Sequence, residues 1–194
     1  MNFFDRAWRL REKIVAPAQG GRLSRIVHKL RLRRYHYLEE RFGFSIPEDA
    51  LIKSKPYLPH GVHGIFISKR AKIGAHCVIF HQVTVGANTM MDSKGLGAPQ
   101  IGDRCYIGAG AKIIGGITIG NDVRIGANAT VTRDVPDFAT VVGLNDIKEA
   151  EYPRDNRYYS KGPKGWYAND GARSVLLPTA MSARLDTAFV RTRL

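Results

Sequence analysis

From Ile67 onward the chain places an aliphatic residue at every sixth position, and few folds admit that period. Ile67, Ile73, Ile79 and Val85 hold one phase, and Ile101, Ile107, Ile113, Ile119, Ile125 and Val131 resume it after an interruption. Glycine often comes next, at Gly74, Gly86, Gly102, Gly108, Gly120 and Gly126. Four places after the aliphatic stands a small or β-branched residue: Ala71, Cys77, Val83, Cys105, Ala111, Val123, Ala129 and Val135. An amphipathic helix repeats every 3.6 residues and a half-buried strand every two, so neither predicts this register.

Six residues make a short strand and a tight corner, and three such units close a triangular coil. The aliphatic side chain points into the prism and the small residue fits beside the corner. Glycine is expected to supply backbone freedom where the chain turns. The fold expected is a left-handed parallel β-helix, an all-β core over 46–148. Its first, irregular coil opens at Ile46, Ile52 and Leu58. The segment ANTMMDSKGLGAPQ, residues 87–100, breaks the phase with turn-forming residues and is expected to leave the prism as an extruded loop.

Residues 1–45 read as a short helical segment, with amphipathic helices over 3 to 15 and 22 to 40 separated by Pro17 to Gly21. Capping of the prism's open end is the first expectation for them. Contact with an acidic membrane surface is the second. Residues 149–194 carry Tyr152, Tyr158, Tyr159, Trp166 and Tyr167 among basic and Gly/Pro residues, and read as a loosely structured extension packed outside.

The formal charge of +13 favours anionic partners. No helix-turn-helix, RNA-binding aromatic motif or zinc knuckle accompanies it, so nucleic acid is not expected. Cys77 and Cys105 are too few for a disulfide framework, and both fill the small-residue slot, which assigns them to the core. The opening residues hold no secretory signal and no stretch long enough to span a bilayer, so the expected location is the cytoplasm.

Candidate chemistry gathers around the irregular coil, where His60 and His63 lie in YLPHGVHGI and His76 and His81 follow shortly after. An interruption of the hexads displays a side chain outside the prism, and an exposed imidazole beside small residues suits a general base. The stretch from IPEDALIKSKPYLPHGVHGIFISKRAKIGAHCVIFHQVTVG to IGDRCYIGAGAKIIGGITIGNDVRIGANATVTRDVP resembles the hexapeptide-repeat acyltransferases, and among them the serine O-acetyltransferase group. That resemblance covers about residues 45 to 143. It implies a catalytic histidine fourteen residues after the isoleucine opening the first coil, which is His60, in preference to His63.

The resemblance further implies direct acyl transfer from acetyl-CoA to a hydroxyl, a homotrimer with sites between prisms, and no metal. Its cofactor positions fall on Gly86, Ala87 and Thr89, on Ala109 and Ala111, and on Ala127, with Lys112 and Arg133 facing the nucleotide phosphates. Two departures stand out. Ser45 occupies the place of the aspartate that orients the histidine, leaving Glu48 or Asp49 as substitutes, and Ala98 occupies the place of a histidine that holds the serine acceptor. These departures point to a sugar hydroxyl of a surface polysaccharide or its precursor as acceptor, with His81 lining the pocket, and to free serine as the alternative. Two other classes compete. One is a zinc hydratase using His76 and His81, which their different places in the hexad disfavour. The other is a non-catalytic trimeric scaffold whose basic ends bind membrane or glycan.

Overall fold

The computed structural model describes residues 3–16, 21–171 and 173–189; the 17–20 part of the expected inter-helix link lies outside them. In chain order the elements are α1 (Phe3–Val15), α2 (Arg22–Phe42), β1 (Leu51–Ile52), β2 (Phe66–Ile67), β3 (Lys72–Ile73), β4 (Val78–Ile79) and β5 (Thr84–Gly86). Then come β6 (Gln100–Ile101), β7 (Tyr106–Ile107), β8 (Lys112–Ile114), β9 (Thr118–Ile119), β10 (Arg124–Ile125), β11 (Thr130–Val131), β12 (Thr140–Val142) and β13 (Asp146–Lys148). The chain closes with β14 (Tyr158–Gly162), β15 (Gly165–Asn169), β16 (Ser174–Leu176) and α3 (Thr179–Ala188).

Strands β1 to β12 wind round a three-sided prism. The first face stacks β1-β3-β6-β9, the second β4-β7-β10-β12, and the third β2-β5-β8-β11. Pairing within each face is parallel and in hexad register, as in Ile73 beside Ile101 and Ile101 beside Ile119. The periodic aliphatics Ile73, Ile79, Ile107, Ile113, Ile119 and Ile125 are all sealed in the interior, as are the small residues four places on. A stack of buried methyl-rich rungs holds the coils together, each rung dehydrated by the next.

Glycine plays a different part from the one expected. The corner residues with left-handed backbone are mostly not glycine but His76, Gln82, Arg104, Asp122 and Asn128, each three places after its aliphatic, and Phe138. The glycine just after the aliphatic is required by space. A Cβ on Gly74 would stand 2.3 Å from the Gly102 carbonyl oxygen, and one on Gly102 2.6 Å from that of Gly120. Coils approach too closely there for a side chain.

The edge between the first and second faces is bound by side chains that stand in for a strand. Asp103 Oδ1 accepts from the Ala75 N–H at 2.9 Å, Asn121 Oδ1 from Asp103 N–H at 2.8 Å, and Asp137 Oδ1 from Asn121 N–H at 2.7 Å. The bond accepted from the Ala75 N–H holds the Asp103 carboxyl below its ordinary value, with Lys53 adding to the effect.

The amino-terminal helices close the prism's first end. Phe4, Ala7, Trp8 and Ile14 of α1 are buried in one cluster with Ile46, Ala50 and the first coil. Buried Arg11 donates to the Pro47, Glu48 and Ala50 carbonyls, and the Tyr35 hydroxyl donates to the Ile46 carbonyl at 2.7 Å. These satisfied polar groups take up carbonyls that the first coil leaves without a strand partner.

The carboxyl-terminal extension corrects the expectation of loose structure. Strands β14, β15 and β16 form an antiparallel sheet, with a two-residue turn, Pro163–Lys164, joining the first two. Trp166, Ala168 and Leu177 give it a small core of its own, against which Tyr159 and Leu185 pack. The segment leading into it lies on the second face. Arg124 donates to the Asn156 side chain at 2.5 Å and to the Asp155 carbonyl at 2.8 Å, while Asn156 donates to the Arg104 carbonyl at 3.0 Å. Among the described residues, no helix is long and apolar enough to cross a membrane.

Candidate active site

The corner joining the second face to the third holds the site. Aliphatic spacing locates its origin. Ile46, Ile52 and Leu58 occupy the third, first and second faces in turn, as the Ser45–Phe66, Ile52–Ile73 and Tyr57–Val78 pairings show. The next aliphatic on the third face is Ile67, nine residues after Leu58 instead of six. The three extra residues cannot join a strand and bulge into consecutive turns over Pro59–Gly64, carrying His60 and His63 outward, both exposed.

The same corner of the next coils lies directly below. Gln82 N–H donates to the His63 carbonyl at 2.8 Å, Gly110 N–H to the His81 carbonyl at 3.0 Å, and Asn128 N–H to the Ala109 carbonyl at 2.8 Å. One column therefore runs from the bulge through His81 to Ala109 and Ala127, ending in short side chains. Lys112 reaches this edge, donating from Nζ to the Gln82 carbonyl at 2.8 Å.

The partner the structure gives His60 is a second imidazole. Its Nδ1 stands 2.9 Å from Nδ1 of His81, with the ring centroids 4.9 Å apart. One nitrogen must donate and the other accept. If His60 donates from Nδ1, its Nε2 carries the lone pair, the form a general base needs; the reverse tautomer spends the Nδ1 lone pair on His81 and puts the proton on Nε2.

Behind the pair stands an aromatic wall that the sequence reading missed. The His60 ring meets Phe80 edge to face at 5.2 Å; Phe80 packs on Tyr106 at 5.2 Å and on Tyr158 at 5.8 Å, and Tyr158 stacks on Tyr57 at 5.5 Å. Tyr158 comes from the extension, so the extension walls the site on its second-face side. The hairpin that presents Tyr158 had a signal in the sequence, the turn Gly162-Pro163-Lys164-Gly165 between aromatic runs.

Several expected site residues lie elsewhere. Glu48 and Asp49 sit in the corner between Ile46 and Ile52, on another edge of the prism. Glu48 faces His36 at 3.7 Å, and the charge of both bears on Arg11. Neither can orient His60. Ala111 is wholly buried inside the prism, its N–H and carbonyl spent on Gly108 and Thr84, so its side chain cannot touch a cofactor.

Gly86, Ala87 and Thr89 begin the loop at the corner between the third and first faces, where Arg133 stands two coils further on. Within one chain this edge is separated from His60 by the whole third face. The loop leaves the prism and folds down this edge. The Gly115 N–H donates to the Gly86 carbonyl and the Gly116 N–H to that of Gly95, both at 3.0 Å. His76 and His81, the pair weighed for zinc, stand on different edges; His76 faces Asp170 at 3.7 Å.

Comparison with known proteins agrees with this architecture. Residues 98–133 match the model of the bacterial transferase hexapeptide family (six repeats). A serine acetyltransferase of Helicobacter pylori is 39% identical over 127 residues, covering 61% of this chain and 72% of that protein. One of Mycobacterium tuberculosis is 43% identical over 150 residues, covering 77% of this chain and 58% of that protein. The solved soybean serine acetyltransferase apoenzyme superposes with a TM-score of 0.58 at 30% identity, covering 73% of this chain and 55% of that one.

Proposed function

The chain belongs to the hexapeptide-repeat acetyltransferases, alongside the serine acetyltransferases, and from that membership we propose that it transfers the acetyl group of acetyl-CoA to the hydroxyl of serine. Membership also supports a left-handed coil and a homotrimer, whose three-fold packing would set the loop edge of one prism against the histidine corner of the next. Gly86, Ala87, Thr89 and Arg133 would then reach the site from the neighbouring subunit, with Ala109, Ala127 and Lys112 on the histidine's own prism.

The observation that carries the reading is the exposed His60 hydrogen-bonded through Nδ1 to His81 at the head of a corner column with short side chains. With His60 donating to His81, His60 Nε2 takes the proton from the acceptor hydroxyl as its oxygen attacks the thioester carbonyl. The C–O bond forms, the C–S bond breaks, and the proton passes from Nε2 to the departing sulfur, releasing the CoA thiol and the acetyl ester. His81 replaces the orienting carboxylate. A neutral acceptor fixes the tautomer and ring direction without adding a negative charge to the site.

The comparisons favour serine over the sugar acceptor read from the sequence. A sugar hydroxyl stays as the second reading because Ser45 and Ala98 stand where the serine enzymes carry an aspartate and a histidine. Thiol release from acetyl-CoA, measured with serine and with a panel of hexoses and sialic acids, separates the two. Release with serine is the expected result, and release with sugars alone would replace that acceptor. His60→Ala should lower turnover by roughly 10²–10⁴-fold with an unchanged melting temperature, the worth of a positioned base on an exposed site. His81→Ala should lower kcat with a smaller effect on KM. Full turnover by His60→Ala would refute the mechanism.

A further inference from the structure

The charge of the chain is concentrated where the proposed chemistry does not use it. The first 38 residues hold ten lysines and arginines against Asp5 and Glu12, a net +8 of the total +13, and no acid occurs between Lys13 and Glu39. Most of these cations stand on α2. One side of that helix packs inward through Tyr35, Leu32, Leu38 and Phe42. At 100° per residue the opposite side presents Leu23, Ile26, Val27, Leu30 and Tyr37 as one stripe, with exposed Arg34 falling within it between Leu30 and Tyr37. Those five apolar residues are 74%, 47%, 37%, 58% and 61% exposed. Arg22, Arg25, Lys29 and Arg33 run beside the stripe as a second, exposed row.

An apolar stripe beside a cationic row fits few partners. A nucleic-acid backbone would be met by the cations but leaves the leucines in water. A second copy of the helix would cover the leucines but bring two rows of like charge together. A bilayer carrying anionic headgroups satisfies both rows at once, taking the apolar side chains at the level of the acyl boundary and the guanidinium and ammonium groups at the headgroups. We propose that the outer face of α2 docks the protein peripherally on an anionic lipid surface. This inference does not depend on the acceptor or on the catalytic role of His60.

The test is co-sedimentation of the full chain with vesicles of phosphatidylcholine alone or mixed with phosphatidylglycerol, at low and high salt. Alongside the parent, Arg25→Glu/Lys29→Glu and Leu23→Ser/Leu30→Ser variants are measured, with circular dichroism and solution mass recorded for each. Binding to the mixed vesicles only, weakened by salt and lowered at least about tenfold in both variants, is the expected result. Absence of binding by the folded parent at low salt overturns the proposal. So does unchanged binding by the leucine variant, which would reduce the contact to bare charge. A change of oligomer mass in the leucine variant without loss of vesicle binding, or tighter binding to duplex DNA than to the vesicles, would assign the face to another copy or to nucleic acid and overturn it as well.

Discussion

His60 and His81 show how a site changes when one residue is replaced. With Ser45 bonded through its backbone into the third face and Glu48 turned to His36, the imidazole proposed as the base is held by another imidazole. The pair works only while its shared hydrogen bond has one donor and one acceptor. Two Nδ1–H groups at 2.9 Å cannot bond, so a doubly protonated pair must separate. The corner glycines are just as exacting. Gly74→Ala would drive a methyl into the Gly102 carbonyl oxygen, since the ideal Cβ lies 2.3 Å from it. The expected cost is about 2–3 kcal/mol of stability, typical of overpacking where backbone must yield. Chemical denaturation of the parent and this variant measures it, and a loss below a few tenths of a kcal/mol would show that the coils can part there.

Among the elements, the extension contributes most that was unexpected. Its entry is clamped by Asp155, whose carboxyl accepts from Arg157 Nη2 at 2.6 Å and from the Tyr159 hydroxyl. The Arg157 guanidinium and then the phenol hold that carboxyl well below its ordinary value of 3.8. A carboxylate depressed on folding stabilises the folded state above its unfolded value and loses that contribution as pH falls through and below it. The extension should therefore loosen at acid pH, from about pH 4 downward. The group is partly exposed, so screening keeps the effect under about 1 kcal/mol. Emission from Trp166, read in a Trp8→Phe background, should report the loosening. Asp155→Asn should lose the part of the acid dependence that belongs to this group, and an identical profile in that variant would remove Asp155 from the account. Because Tyr158 follows three residues later and backs Phe80, on which His60 packs, loosening here reaches the His60 corner.

For the whole molecule the proposed chemistry requires two distant edges of one prism to serve one reaction. The histidine column and the loop edge flank the third face, so the proposed trimer joins the corner of one copy to the loop of another. Light scattering should return a mass near three times 21.6 kDa. Mixing His60→Ala subunits with subunits carrying Ala87→Arg should restore thiol release that neither variant has alone, because some mixed interfaces receive both intact edges. Failure of mixed trimers to recover activity would place the whole site within one chain.

Sixfold spacing alone determined the coil, its interior residues, the place where the loop leaves and the bulge that exposes His60. Each of these follows from local geometry repeated along the chain, in which one misplaced residue shows as a phase error. What faces His60 was decided only in three dimensions. Phe80 and His81 come from the coil after the one that carries His60, Tyr158 comes from an appended hairpin, and Glu48, though nearer in sequence than His81, stands on another edge. Corners separated by one coil are neighbours while successive corners of the same coil are not, so linear proximity to His60 carries little information about contact with it.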